Sequence, residues 1–170
     1  KAAADFVTEV DIAAEKEILY HLSKTYPDHR FECEESGLSG NEDAEYTWVI
    51  DPLDGTSNFL HGIPHFAISV ALQKGDEIIA GMIYDVAKDE CFWAEKGLGA
   101  FLDNRRLRVS GRRRLNECVL ACGVPHLGHG DHAAFEKQLH SVMDRCAGVR
   151  RMGAASLDLA YVAAGRYDGY

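Results

Sequence analysis

The chain has 170 residues, 46% of them hydrophobic and 26% charged, and a formal net charge of −9. That is enough apolar material for a single domain with a sizeable core, and no apolar run approaches the roughly 18–20 residues that span a bilayer. The acidic balance argues against nucleic acid or an anionic membrane as the main partner, but not against an anionic substrate, because bound divalent cations reverse the sign locally.

The first expected element is a helix. Thr8 precedes Asp11 by three residues, a capping-box spacing, and Ala14, Ile18, Leu19 and Leu22 follow at helical intervals until Pro27 stops the run. Asp11 is open to two readings, a capping acid or a side chain turned toward an acidic cluster further along. Residues 28–45 are acid-rich. Glu42, Asp43 and Glu45 read as solvated loop, whereas Glu34 and Glu35 follow a short strand-like piece at Phe31 and end at a Ser-Gly turn, so that one of them can reach inward.

The run from Trp48 to Phe66 is the most informative. An apolar strand (Trp48, Val49, Ile50) delivers Asp51 and Asp54 into a turn with Pro52 between them, then Gly55 and Thr56 open a helix. Pro52 fixes its own φ and biases Asp51 toward extended geometry, so the strand is expected to end there. Two acids three apart in such a turn converge on one point, and their repulsion is best relieved by a cation.

From Phe66 the period becomes two. Phe66 to Gln73 and Ile78 to Tyr84 read as strands about a Lys74–Glu77 turn, and Cys91–Ala94 and Ala100–Leu102 continue an antiparallel meander. Arg105, Arg106, Arg108 and Arg112 to Arg114 form a basic patch that reads as a solvated edge. Val119 to Cys122 reads as a buried strand and Asp131 to Cys146 as a helix. The histidines at 126, 129 and 132 sit in a Gly-containing loop without ligand-fixing helical spacing, which disfavours zinc. Ala154 to Ala164 reads as a small-residue helix packed by one face on a sheet. The class is a layered α/β mixture of sheets and helices. Five cysteines, odd in number and without Cys-x-x-Cys pairing, favour a reducing, cytoplasmic setting over a disulfide scaffold.

Asp11, Glu34, Asp51 and Asp54 form an all-oxygen donor set suited to a hard cation such as Mg²⁺. Gly55-Thr56 at a helix start offers N–H groups to an anion. Together they describe phosphoryl chemistry, in which two cations stabilise the attacking water and the leaving oxygen.

The run Trp-Val-Ile-Asp-Pro-Leu-Asp-Gly-Thr-Ser-Asn-Phe resembles the signature of the inositol monophosphatase family. Asp5-Phe-Val-Thr-Glu-Val-Asp11, Glu34-Glu35-Ser36 and Gly153-Ala-Ala-Ser-Leu-Asp-Leu-Ala extend the similarity, and the tail from Arg150 to Tyr170 most resembles bacterial members. The resemblance implies a sugar-phosphatase fold of alternating helix and sheet layers. It also implies a homodimer and Mg²⁺-dependent, lithium-inhibited hydrolysis of inositol monophosphate or a similar small sugar phosphate, with two or three ions per site. Histidinol phosphate, fructose 1,6-bisphosphate and 3′-phosphonucleotides are the sister substrates, and association with transcription machinery is the non-catalytic alternative.

By the same resemblance Glu34, Asp51 and the carbonyl of Leu53 hold one metal, and Asp51 and Asp54 a second. Thr56, hydrogen-bonded to Asp11, activates water together with Glu34. The N–H groups of Gly55 and Thr56 take the phosphate, and Gly153, Ala154, Ala155 and Arg150 line the sugar side. Cys33 stands where many members have Gly. The chain begins at Lys1 rather than Met and stops at Tyr170 in strand-like sequence, so the domain is expected to be incomplete. A further metal-binding Asp that the family places after a Trp is expected beyond Tyr170, since the two tryptophans present are Trp48 and Trp93.

Overall fold

The computed structural model describes residues 8–125 and 130–170. Helix α1 (Glu9–Thr25) starts at Thr8, whose side chain accepts from the N–H groups of Val10 and Asp11 while Asp11 reaches back to the Thr8 N–H. It ends before Pro27, where the chain turns into β1 (Arg30–Cys33) and β2 (Gly37–Gly40). Next come β3 (Tyr46–Asp54), α2 (Thr56–Leu60), β4 (Ala67–Lys74), β5 (Glu77–Asp85), β6 (Glu90–Glu95), β7 (Gly99–Leu102) and β8 (Arg105–Arg106). These eight strands form one sheet in the order β2-β1-β3-β4-β5-β6-β7-β8. Strands β4 to β8 are the expected antiparallel meander, while β1 runs parallel to β3. A second sheet pairs β9 (Val119–Ala121) in parallel with β10 (Gly148–Arg150), α3 (His132–Met143) lies between them in sequence, and α4 (Ala155–Ala163) follows.

The sheet carries helices on both faces. Val70 and Ala67 are three residues apart on β4 and therefore point to opposite sides. Val70 joins Phe31, Cys33, Ile50 and Trp48 under Ile18, Leu19 and Leu22 of α1. Ala67 joins Phe92 and Leu102 under Leu157, Ala160 and Tyr161 of α4. The small residues of α4 let it approach the sheet closely, and Leu157 is fully buried there.

The end of β3 departs from expectation. The strand continues through Pro52 to Asp54, and the ladder with β4 shifts register between Asp51↔Ser69 and Asp54↔Ala67. A bulge accommodates a residue that has no N–H to give, so Pro52 is skipped rather than terminating the strand. The acidic loop also gains structure: Glu45 pairs with Lys74 at 3.1 Å, while Glu42 and Asp43 remain exposed. In the basic patch, Arg105 and Arg106 do lie on the exposed edge strand β8, but Arg112 is recruited inward by Asp168 at 2.8 Å. The histidines at 126 and 129 lie outside the described residues; His132 opens α3, which Asp131 caps through the Ala134 N–H at 3.0 Å.

Truncating Leu157 to Ala should lower unfolding free energy by about 2–5 kcal/mol, whereas Leu159→Ala, at an exposed position on the same helix, should stay within about 0.5 kcal/mol. Urea denaturation of the two variants checks the assignment of the buried face.

Candidate functional site

Strand register builds the site. Cys33 pairs with Ile50 as the last pair of the parallel β1–β3 ladder, so the next residues, Glu34 and Asp51, emerge side by side where that ladder ends. The Glu34 N–H continues the ladder to the Ile50 carbonyl at 3.1 Å. Their carboxyls share a hydrogen bond, which two ionised carboxylates cannot do. Burial, that bond, and the charges of Glu34 and Asp54 push the Asp51 carboxyl up to about 8, offset in part by the Leu53 N–H, which donates to Asp51 Oδ1 at 3.0 Å.

Beyond the bulge the chain turns at Gly55, which has φ 95° and opens α2 without a side-chain cap. A Cβ there would lie 3.1 Å from the His65 carbonyl and 3.2 Å from Ala154 Cβ, so both the dihedral and the packing call for glycine. Thr56 Oγ1 lies 3.0 Å from the Leu53 carbonyl and 3.3 Å from Asp11 Oδ1. The capping reading of Asp11 holds, with Oδ2 closing the capping box with Thr8, while Oδ1 faces Thr56 rather than the Glu34–Asp51 pair. Asp54 does not join the Glu34–Asp51 pair. Its Oδ2 accepts from both Ser156 N (2.7 Å) and Ser156 Oγ (2.5 Å) at the start of α4.

The structure therefore gathers Asp11, Leu53 and Thr56 into one hydrogen-bonded group, and Glu34 and Asp51 into another, with Asp54 between them and α4. Ala154 is buried against Gly55, and Gly153, at φ 89°, packs on the Asn58 amide. Ala155 is exposed at the first turn of α4, and Arg150 is exposed on β10, where its guanidinium bonds its neighbour's carbonyl. Among the described residues no group of three or more His, Cys, Asp or Glu side chains is already arranged to ligate a metal. The donor set nevertheless fits a hard cation, because the crowding that raises the Asp51 carboxyl is what a divalent ion in that position would relieve.

Three supporting residues escaped the sequence reading. Ser156 holds Asp54, and Asn58, buried in α2, donates to the His65 and Met152 carbonyls at 2.7 and 2.8 Å, tying the turn to the Gly153 loop. Glu15, one turn after Asp11 on α1, accepts from the Glu35 and Ser36 N–H groups. The one sequence signal for Glu15 is its place one helical turn after Asp11; Asn58 and Ser156 lie within the motif blocks, but their partners Met152 and Asp54 are distant in sequence.

This arrangement can be compared with known proteins. A family model described as "Inositol monophosphatase family" matches residues 1–170. An inositol-1-monophosphatase of Mesorhizobium japonicum is 52% identical over the whole chain, which covers 64% of that protein. The Nus factor SuhB of Pseudomonas aeruginosa is 48% identical, again over the whole chain and 64% of the relative. The crystal structure of extragenic suppressor protein suhB from Bartonella henselae superposes with a TM-score of 0.94 at 51% identity, over 98% of this chain and 65% of that one. A layered α/β fold with an acidic turn at the end of the interior strand β3, in a chain matched along its full length, defines the class. The chain belongs to the inositol monophosphatase family, and it spans about two thirds of the length of these relatives.

Next to the site, Asp158 of α4 is buried and its Oδ1 has no hydrogen-bond partner among the described residues. Burial and the nearby Asp54 charge raise its carboxyl from 3.8 to about 6, against the pull of Arg151. The folded state therefore holds this proton more tightly than the unfolded chain. The resulting stability is fully present below about pH 4 and is lost as pH rises through about 6. In urea titrations, wild type should lose ground to Asp158→Asn across that interval; a constant difference between the two would refute the assignment.

Proposed function

We propose that the protein is a Mg²⁺-dependent phosphatase that hydrolyses inositol monophosphate, or a similar small sugar phosphate, to the alcohol and inorganic phosphate. The observation that carries this reading is the register-fixed pairing of Glu34 with Asp51 beside a glycine-led turn, in a chain that belongs to the inositol monophosphatase family. Glu34, Asp51, the Leu53 carbonyl and Asp54 would hold the metal. The cations, when bound, supply charge stabilisation at the phosphoryl oxygens and make water a stronger nucleophile.

The remaining work falls to the chain. Glu34 takes a proton from the attacking water as the water oxygen bonds to phosphorus and the ester oxygen leaves, with solvent supplying that oxygen's proton. Thr56, fixed between Asp11 and the Leu53 carbonyl, orients the water. The N–H groups of Gly55 and Thr56 bind phosphate oxygens. Gly153, Ala154, Ala155 and Arg150 line the sugar side, Ala154 by way of its backbone because its side chain is buried against Gly55. Five free thiols support a cytoplasmic location, and the family resemblance supports a homodimer and sensitivity to lithium.

A second reading, association with transcription machinery, is favoured by one observation: a relative at 48% identity is named a Nus factor. Pull-down of transcription proteins that survives loss of the active site would support it.

Asp51→Asn removes the carboxylate shared by both proposed metal positions. It should reduce Mg²⁺-dependent phosphate release by about 10²–10³-fold or more, with little change in far-UV circular dichroism. Unchanged turnover in that variant would sink the reading. A panel of inositol 1-phosphate, histidinol phosphate, fructose 1,6-bisphosphate and 3′-phosphonucleotide separates the substrates.

A further inference from the structure

Helix α1 buries two residues among those described, and both are acids: Asp11 at 2% and Glu15 at 3% exposure. Burying a carboxylate costs several kcal/mol unless hydrogen bonds replace its water. For Glu15 each oxygen has a backbone donor. Oε2 accepts from the Glu35 N–H at 2.8 Å and Oε1 from the Ser36 N–H at 3.0 Å.

Those donors belong to a particular loop. The β1–β2 ladder closes at Cys33↔Gly37, leaving Glu34, Glu35 and Ser36 as the connection. None of these three residues has a ladder partner in β2, yet all three N–H groups are used: Glu34's by the Ile50 carbonyl, the other two by Glu15. The backbone of the loop that carries Glu34 is thus tied to Ile50 of β3 and to one side chain of α1.

We infer that Glu15 is a positioning residue: by clamping the Glu35 and Ser36 amides it holds the Glu34 carboxyl against Asp51. The role rests on the phosphatase reading, in which Glu34 is both metal ligand and proton acceptor. One helix then serves both halves of the site, Asp11 steadying Thr56 and Glu15, a turn later, steadying Glu34. Charge-assisted bonds from two consecutive amides to one carboxylate fix the loop's orientation more tightly than a single contact would. A residue with a structural role alone would affect unfolding without affecting cation binding.

The Glu15→Gln variant separates these cases. It is isosteric, but it replaces one acceptor oxygen with an NH₂ that meets a backbone N–H donor-to-donor. In the substrate-free protein, Mn²⁺ affinity measured by calorimetry should fall by about 10-fold or more, in the range seen when groups supporting a ligand are lost. Glu17→Gln, exposed on the same helix and bonded to His21, should bind Mn²⁺ like wild type. Unaltered Mn²⁺ affinity in a folded Glu15→Gln, with only a lower melting temperature, overturns the inference. Failure of wild type itself to bind Mn²⁺ or release phosphate overturns the phosphatase reading instead, and the positioning role with it. Hydrogen exchange on wild type needs no variant: the Glu35 and Ser36 amides should be protected in the metal-free protein, and free-loop exchange there also overturns the inference.

Discussion

The mutual repulsion of carboxylates where the β1–β3 ladder ends is the constraint on which the rest of the structure turns. Glu34 and Asp51 are forced together by backbone register, not by attraction. The fold tolerates this by placing hydrogen-bond donors around the acids, and the crowding raises the Asp51 carboxyl. Leu53 donates to Asp51, Ser156 donates twice to Asp54, and the loop amides are taken up by Glu15. Each of these contacts comes from a different element, so the acidic edge also gathers β1, β3, α1 and α4. Removing the acids would relieve strain and dissolve the reason for that convergence.

Sheet layers explain why the convergence is rigid. The Phe31–Ile50 cluster under α1 and the Ala67–Leu157 cluster under α4 grip the sheet from both faces. The site sits where their edges meet, at the bulge that Pro52 imposes. Gly55 lets α2 turn sharply against Ala154, and Asn58 ties that turn to the Met152 carbonyl. These contacts fix the backbone that carries the acids, and it is on that fixed backbone that the proposed phosphatase chemistry would depend.

Much of this could be read from residue order. The alternation from Phe66 to Tyr84, the capping box of α1 and the small-residue helix at 154–164 are local patterns, and the structure repeats them within a residue or two. The short strands were not legible: Gly37–Gly40 and Gly148–Arg150 have no alternating apolar residues and become strands only by pairing with neighbours. The Asp-Pro-Leu-Asp-Gly-Thr turn announced its chemistry, but not its supports. Glu15 looks like any solvated helix acid until its loop is in place, and Ser156 lies 102 residues from Asp54. Pro52 misled for a related reason: its local preference ends strands, and the β4 ladder overrides that preference by skipping it.

The same physics gives the functional reading its most direct test. A crystal soaked in Mn²⁺ should show anomalous density bridging the carboxylates of Glu34, Asp51 and Asp54, with Asp54 turned away from Ser156. Density elsewhere on the protein, or none at millimolar Mn²⁺, would contradict the account.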